Sequence, residues 1–197
     1  MNAKILTSVI LVGALSTACK SSDDAKAAQV DPAVMQAKWL EYGTPGPAHQ
    51  KLADKVGRWK LNVTHFMPGQ PPSQSDATSE IKWALDGRFL VDNMSGNMMG
   101  MPFNGMGMTG YDNMKKVYFV TWADNMGTGL TYMEGKYDAE NRTFTYEGKM
   151  ADPVSGEFMK SRIVEKELDR DHWTMQLFME QDGDMQKGME IAYTRTK

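Results

Sequence analysis

The chain has 197 residues, 41% of them hydrophobic and 24% charged, with a formal net charge of −3. That length suits one domain of ordinary size plus an extra segment at an end. No basic run occurs and aromatic residues are not interleaved with Lys or Arg, which argues against a nucleic-acid partner. A single Cys allows neither an internal disulfide nor a Cys-based zinc site.

Residues 1–18 read as a secretory signal. Lys4 supplies the positive start, Ile5 to Leu15 form an apolar run too short for a finished transmembrane helix, and small residues lead to Cys19. Ser16-Thr17-Ala18-Cys19 resembles the lipobox of bacterial lipoproteins, in which the Cys is diacylated and the signal removed; here Leu15 lies four residues before the Cys rather than three. An ordinary cleaved signal with a leftover Cys is the alternative. The lipobox resemblance implies a membrane partner through lipid on Cys19, each buried methylene contributing about 0.8 kcal/mol. Lys20 in place of Asp after the Cys implies an outer-membrane lipoprotein facing the periplasm of a Gram-negative cell. Removing the signal takes away one Lys and leaves 21 Lys+Arg against 25 Asp+Glu. Residues 19–30, KSSDDAKAAQV after the Cys, carry too little apolar surface to order themselves and read as a flexible linker.

Residues 31–56 form a helical segment. Asp31 is the expected N-cap and Pro32 the first helical residue, with Val34, Met35, Trp39 and Leu40 near helical spacing and Gly43 as the stop. After a Pro/Gly connector, Ala48 to Val56 suit a second short helix ending at Gly57.

Residues 57–197 then read as strands. The pattern predicts ten: 59–66, 78–85, 88–95, 105–111, 117–124, 129–137, 143–150, 158–168, 173–180 and 187–195. Trp173, Met175, Leu177 and Met179 alternate with His172, Thr174, Gln176 and Glu180, and Met189, Ile191 and Tyr193 alternate with Glu190, Ala192 and Thr194. Asp86-Gly87, 138–141, 152–156, 169–171 and Asp182-Gly183 supply turn chemistry between them. Ten short strands in unbroken succession describe an antiparallel meander. Closure removes its edges and makes an all-β barrel of about eight to ten strands.

Gly57-Arg58-Trp59 opens the first strand as the lipocalin and calycin start does. With GPAHQKLADKVGRW (46–59), WALDGRFL (83–90), MMGMPFNGMGMTGYDNMKKVYFVTW (98–122), DNMGTGLTYMEGKYD (124–138) and MADPVSGE (150–157), the chain resembles the bacterial lipocalin-like family known as domain of unknown function 1579 over about residues 46–196. The resemblance implies a lipocalin-like barrel with Trp59 across its closed end, and it implies no established activity. It departs from relatives mainly in extra Met.

Met usage dominates the candidate sites, with 18 Met against 11 Leu. In the stretch 87–113, Met106 and Met108 share one strand face with Gly105 and Gly107 between them, so another layer can approach the glycine side closely. Core filling, an adaptable Met-lined pocket for a small apolar ligand, and Cu(I) binding by Met98, Met99, Met101, Met106 and Met108 are the three readings of this chemistry. The pocket reading places Trp59, Met106, Met108, Trp122 and Tyr132 on the wall. Glu134 would pair with Arg88 or Arg162 to orient a polar end. It requires an interior cavity above about 300 Å³.

His49, His65 and His172 lie far apart, no nucleophile motif occurs, and Asp124, Glu134, Glu147 and Glu165 are the carboxylates that could pair in space. No cofactor is expected. The sequence thus leads to a lipid-anchored envelope binding barrel, with a Cu(I)-binding protein, an uncharacterised enzyme and a purely structural or interaction barrel as alternatives.

Overall fold

The computed structural model describes residues 31–98 and 100–196. The predicted signal, Cys19 and the linker lie outside that range, as does Met99. Two helices lead into the sheet: α1 (Pro32–Gly43) and α2 (Pro47–Gln50), the latter continuing into a 3-10 turn at Lys51–Lys55. The Asp31 carboxylate accepts from the Ala33 amide at 2.8 Å, as its N-cap position predicts. The Asn113 side chain donates to the Tyr42 and Thr44 carbonyls at 2.9 Å each, tying the C-terminal end of α1 to the barrel. The apolar residues of α1 are not buried against it: Trp39 and Leu40 are 68% and 70% exposed. The expected helix over 48–56 is split, because the 3-10 turn tightens the chain so that Leu52 enters the barrel end, fully buried.

Ten strands follow: β1 (Gly57–His65), β2 (Ser73–Ala84), β3 (Phe89–Met98), β4 (Met101–Asp112), β5 (Val117–Asp124), β6 (Thr131–Asp138), β7 (Thr143–Asp152), β8 (Glu157–Glu167), β9 (His172–Gln181) and β10 (Asp184–Arg195). Each pairs antiparallel with its sequence neighbours, and β1 also pairs with β10, so the sheet closes on itself. The all-β barrel expected from the sequence is therefore the fold. Asp182 and Gly183 both have positive φ, 52° and 88°, the primed-turn geometry that a two-residue hairpin needs.

Two strands begin earlier than their sequence suggests. The polar residues Ser73 to Asp76 pair with β1 from Asn62 to His65, since backbone pairing around the closed barrel does not depend on apolar side chains. Met98 pairs directly with Met101, so most of the expected Met/Gly loop is strand and the connection is tight.

Alternation decides which side chains face inward. Trp59, Leu61 and Val63 of β1 do, as do Leu90 and Met94 of β3, Phe144 and Tyr146 of β7, and Trp173 and Leu177 of β9, all buried. Trp59 closes the end near the 3-10 turn. Its indole N–H donates to the Lys55 carbonyl at 2.9 Å, and its ring meets Trp173 and Tyr193 edge-on at 6.0 and 6.3 Å. The Arg195 guanidinium lies 4.2 Å from the Trp59 ring centroid and donates to the carbonyls of Val56 and Asp54. The opposite end carries the 66–72 connection and the β3–β4, β7–β8 and β9–β10 turns.

Candidate functional site

The barrel encloses a cavity of about 210 Å³. That is smaller than the 300 Å³ the sequence reading required, because large side chains from both ends, Trp122 and Trp173 among them, fill much of the interior. It is still larger than a hole of roughly 150 Å³ that takes benzene. Its wall is apolar and rich in sulfur: Met94, Met98, Met150, Met175 and Met189 all border it.

The residues predicted to line a pocket divide between the two faces of the sheet. Trp122 borders the cavity, and Trp59 lies in the packed end beside it. Met106 and Met108 project from the outer face instead, Met106 being 57% exposed. The reason is steric: the inward positions of that strand are Gly105 and Gly107, and the Trp122 indole fills the space above them. Tyr132 and Glu134 also lie outside. Glu134 accepts from the Tyr132 hydroxyl at 2.7 Å and pairs with Lys115, whose ammonium holds its carboxyl below the usual range. Neither expected arginine reaches it. Arg88 sits in the β2–β3 turn, donating to the Leu85 carbonyl at 3.2 Å, and Arg162 pairs with Glu147 at 2.8 Å on the outer surface.

The Met98–Met108 set expected to bind Cu(I) does not converge. Met98 borders the cavity, Met101 is exposed, Met106 and Met108 point outward, and Met99 lies outside the described residues. Of the four carboxylates named as possible partners, Glu134 and Glu147 are direct cross-strand neighbours on the outer face, each held by its own cation, Lys115 and Arg162. Asp124 and Glu165 border the cavity from opposite ends. Asp124 accepts from the Trp122 indole N–H at 2.8 Å at the open end, and only Glu165 is buried, at the cavity floor.

That floor is where the interior becomes polar. Lys55 enters from the 3-10 turn and pairs with Glu165, both nearly fully buried. Its ammonium also lies 4.4 Å from the Phe144 ring centroid and 5.0 Å from that of Trp173. Asp92, on β3 between Leu90 and Met94, borders the cavity and accepts from the Ser79 hydroxyl at 2.5 Å. Burial pushes its carboxyl up to about 6, opposed by the Ser79 hydrogen bond and aided by the negative charge of Glu165. Burial likewise raises the Tyr146 and Tyr193 phenols well above their ordinary range. Trp173 Nε1 and the Tyr146 hydroxyl are buried with no hydrogen-bond partner among the described residues. At the other end His65, opposite Met189 in the β1–β10 register, also has an unpartnered buried Nε2, and burial lowers its imidazole.

Sequence reasoning missed Asp92 and Lys55 as floor residues. Asp92 carried a readable signal, an ionisable residue in phase with Leu90 and Met94. Lys55 carried none, since its entry depends on the 3-10 turn.

The protein is thus a closed ten-strand antiparallel β-barrel with a small, apolar cavity over a charged floor. Residues 44–195 match the family described as protein of unknown function (DUF1579), and the chain belongs to it. No curated protein matches. Among solved structures, Rv2717c from M. tuberculosis is similar at 15% identity, over 78% of this chain and 100% of that one, with a TM-score of 0.57. A redesigned beta barrel is similar at 14% identity over 76% and 96%, with a TM-score of 0.38. The likeness to Rv2717c supports the fold alone.

Proposed function

We propose that the protein is a lipid-anchored, lipocalin-like barrel of the bacterial cell envelope that holds one small apolar or amphipathic molecule. The observation that carries this reading is the thioether-lined cavity of about 210 Å³. Methionine side chains adapt to ligand shape and offer polarizable contact to an apolar occupant. The unpartnered Trp173 N–H at the floor favours a ligand with a polar end. The cavity volume limits the occupant to on the order of eight heavy atoms, scaling from benzene. Anchoring rests on the lipobox-like Cys19, with the barrel facing the periplasm from the outer membrane. Native mass spectrometry of the protein taken gently from its own envelope tests the reading. An organic mass lost on denaturation supports it, and a bare barrel counts against it.

Copper remains a second reading at a different place from the expected cluster. His65 Nε2 and the sulfurs of Met98 and Met189 border the open side of the same cavity, and imidazole with thioethers suits Cu(I). Stoichiometric Cu(I) uptake that is lost in His65→Phe and in a Met98→Leu, Met189→Leu variant supports it, and unchanged uptake removes it.

A further inference from the structure

The charges that border the cavity do not balance. Lys55 is its one ammonium or guanidinium among the described residues, while Asp92, Asp124 and Glu165 are three carboxylates. Lys55 is already committed: it pairs with Glu165, and the Phe144 and Trp173 rings face its ammonium. Asp124 is partly committed, to the Trp122 indole and the Met126 amide. Asp92 has the Ser79 hydroxyl and no cation paired with it among the described residues. With its carboxylates ionised, the enclosed space therefore carries surplus negative charge, concentrated at Asp92.

We propose that the cavity selects a small organic cation, an apolar amine of about seven heavy atoms by comparison with benzene-sized cavities, whose ammonium group seats on the Asp92 carboxylate. The proposal rests on the reading of the cavity as a ligand site and names the ligand's chemistry. In an interior of low effective dielectric, an incoming ammonium offsets the Asp92 charge, whereas an incoming carboxylate adds a like charge near Asp92 and Glu165. The walls act in the same direction. Phe103, Trp122, Trp173 and Tyr193 present aromatic rings to the space, and ring faces attract cations. The aliphatic tail runs toward the open end, along Met94, Met175, Met98 and Met189. At pH 7.5 Asp92 is ionised, since burial raises it only to about 6. The groups facing it are Ser79, Lys55, Glu165 and Tyr193.

The test titrates the full chain, with methyl-labelled methionine, against 1-hexylamine, 1-hexanol and hexanoate at pH 7.5. The Met94 and Met175 methyl resonances are followed by NMR. Hexylamine is expected to saturate the shifts at a concentration at least about tenfold below hexanoate, a difference of roughly 1.4 kcal/mol. Asp92→Asn, which keeps the size and the Ser79 contact, is expected to weaken hexylamine at least about tenfold more than it weakens hexanol. Hexanoate binding as well as hexylamine, or Asp92→Asn leaving hexylamine unchanged, overturns the cation assignment while hexanol binding upholds the pocket. No shift with any of the three overturns both.

Discussion

The Trp122 indole occupies the space that a side chain at Gly105 would need, so the two residues form one packing unit between β4 and β5. The ring stacks near-parallel on Phe103, 15° between planes, and its N–H is fixed by Asp124. One wall of the cavity is built this way: glycine gives up its own side chain so that a large one from the next strand can lie across it.

A methyl group at position 105 must therefore move the indole. Gly105→Ala is expected to destabilise the barrel by about 1–3 kcal/mol, the usual cost of overpacking. Gly107→Ala is expected to cost less, because its added Cβ would lie 3.2 Å from the Trp122 ring, a contact that a small shift relieves. Urea unfolding of the two variants, followed by Trp fluorescence, checks the order. Equal stabilities contradict it.

This pair also shows what was legible beforehand. The alternation Gly105-Met106-Gly107-Met108 disclosed a strand with one empty face that something would approach closely. Which face pointed inward was not legible. Alternation fixes two faces but not their sense, and a shift of one residue exchanges them. The prominence of Met suggested that sulfur faced inward on this strand, and the structure places glycine there. The ten strands were legible because turn residues separate them. The charged floor was not, because Lys55 reaches Glu165 across 110 positions of sequence.

Removing one partner of that buried ion pair strands the other. Glu165→Gln is expected to lower stability by about 3–5 kcal/mol, and the double change Lys55→Met, Glu165→Leu to recover much of the loss. Thermal unfolding of the single and double variants decides. If the single variant is as stable as the wild type, the pair is not desolvated as described.

Asp92 gives a pH dependence of known sign. Its carboxyl rises from 3.8 to about 6 on folding, so the folded chain binds the proton more tightly than the unfolded chain. Stability contributed by this group is full below about pH 4 and is lost as pH rises toward 6. The loss is on the order of 3 kcal/mol for a shift of this size. Asp92→Asn is expected to be more stable than the wild type at pH 7.5, and the gap should close as pH falls to 4. Other carboxylates respond oppositely: Glu80, Glu134 and Glu190 are held below the usual range by Lys or Arg partners. The difference between wild type and variant isolates Asp92. A gap that does not change with pH contradicts its raised value.

The proposed anchor makes a prediction independent of the barrel. Cys19→Ser is expected to move the protein from the membrane fraction into the soluble envelope fraction. Unchanged fractionation removes lipid on Cys19 from the account.

The most direct measurement is methionine-methyl NMR of the protein under xenon, which enters apolar cavities of this size. The inward methyls of Met94, Met98, Met150, Met175 and Met189 are predicted to shift together and saturably, while Met106 and Met108 on the outer face stay in place. Shifts confined to Met106 and Met108, or no saturable shift at all, would contradict a ligand-accessible interior and leave a filled barrel.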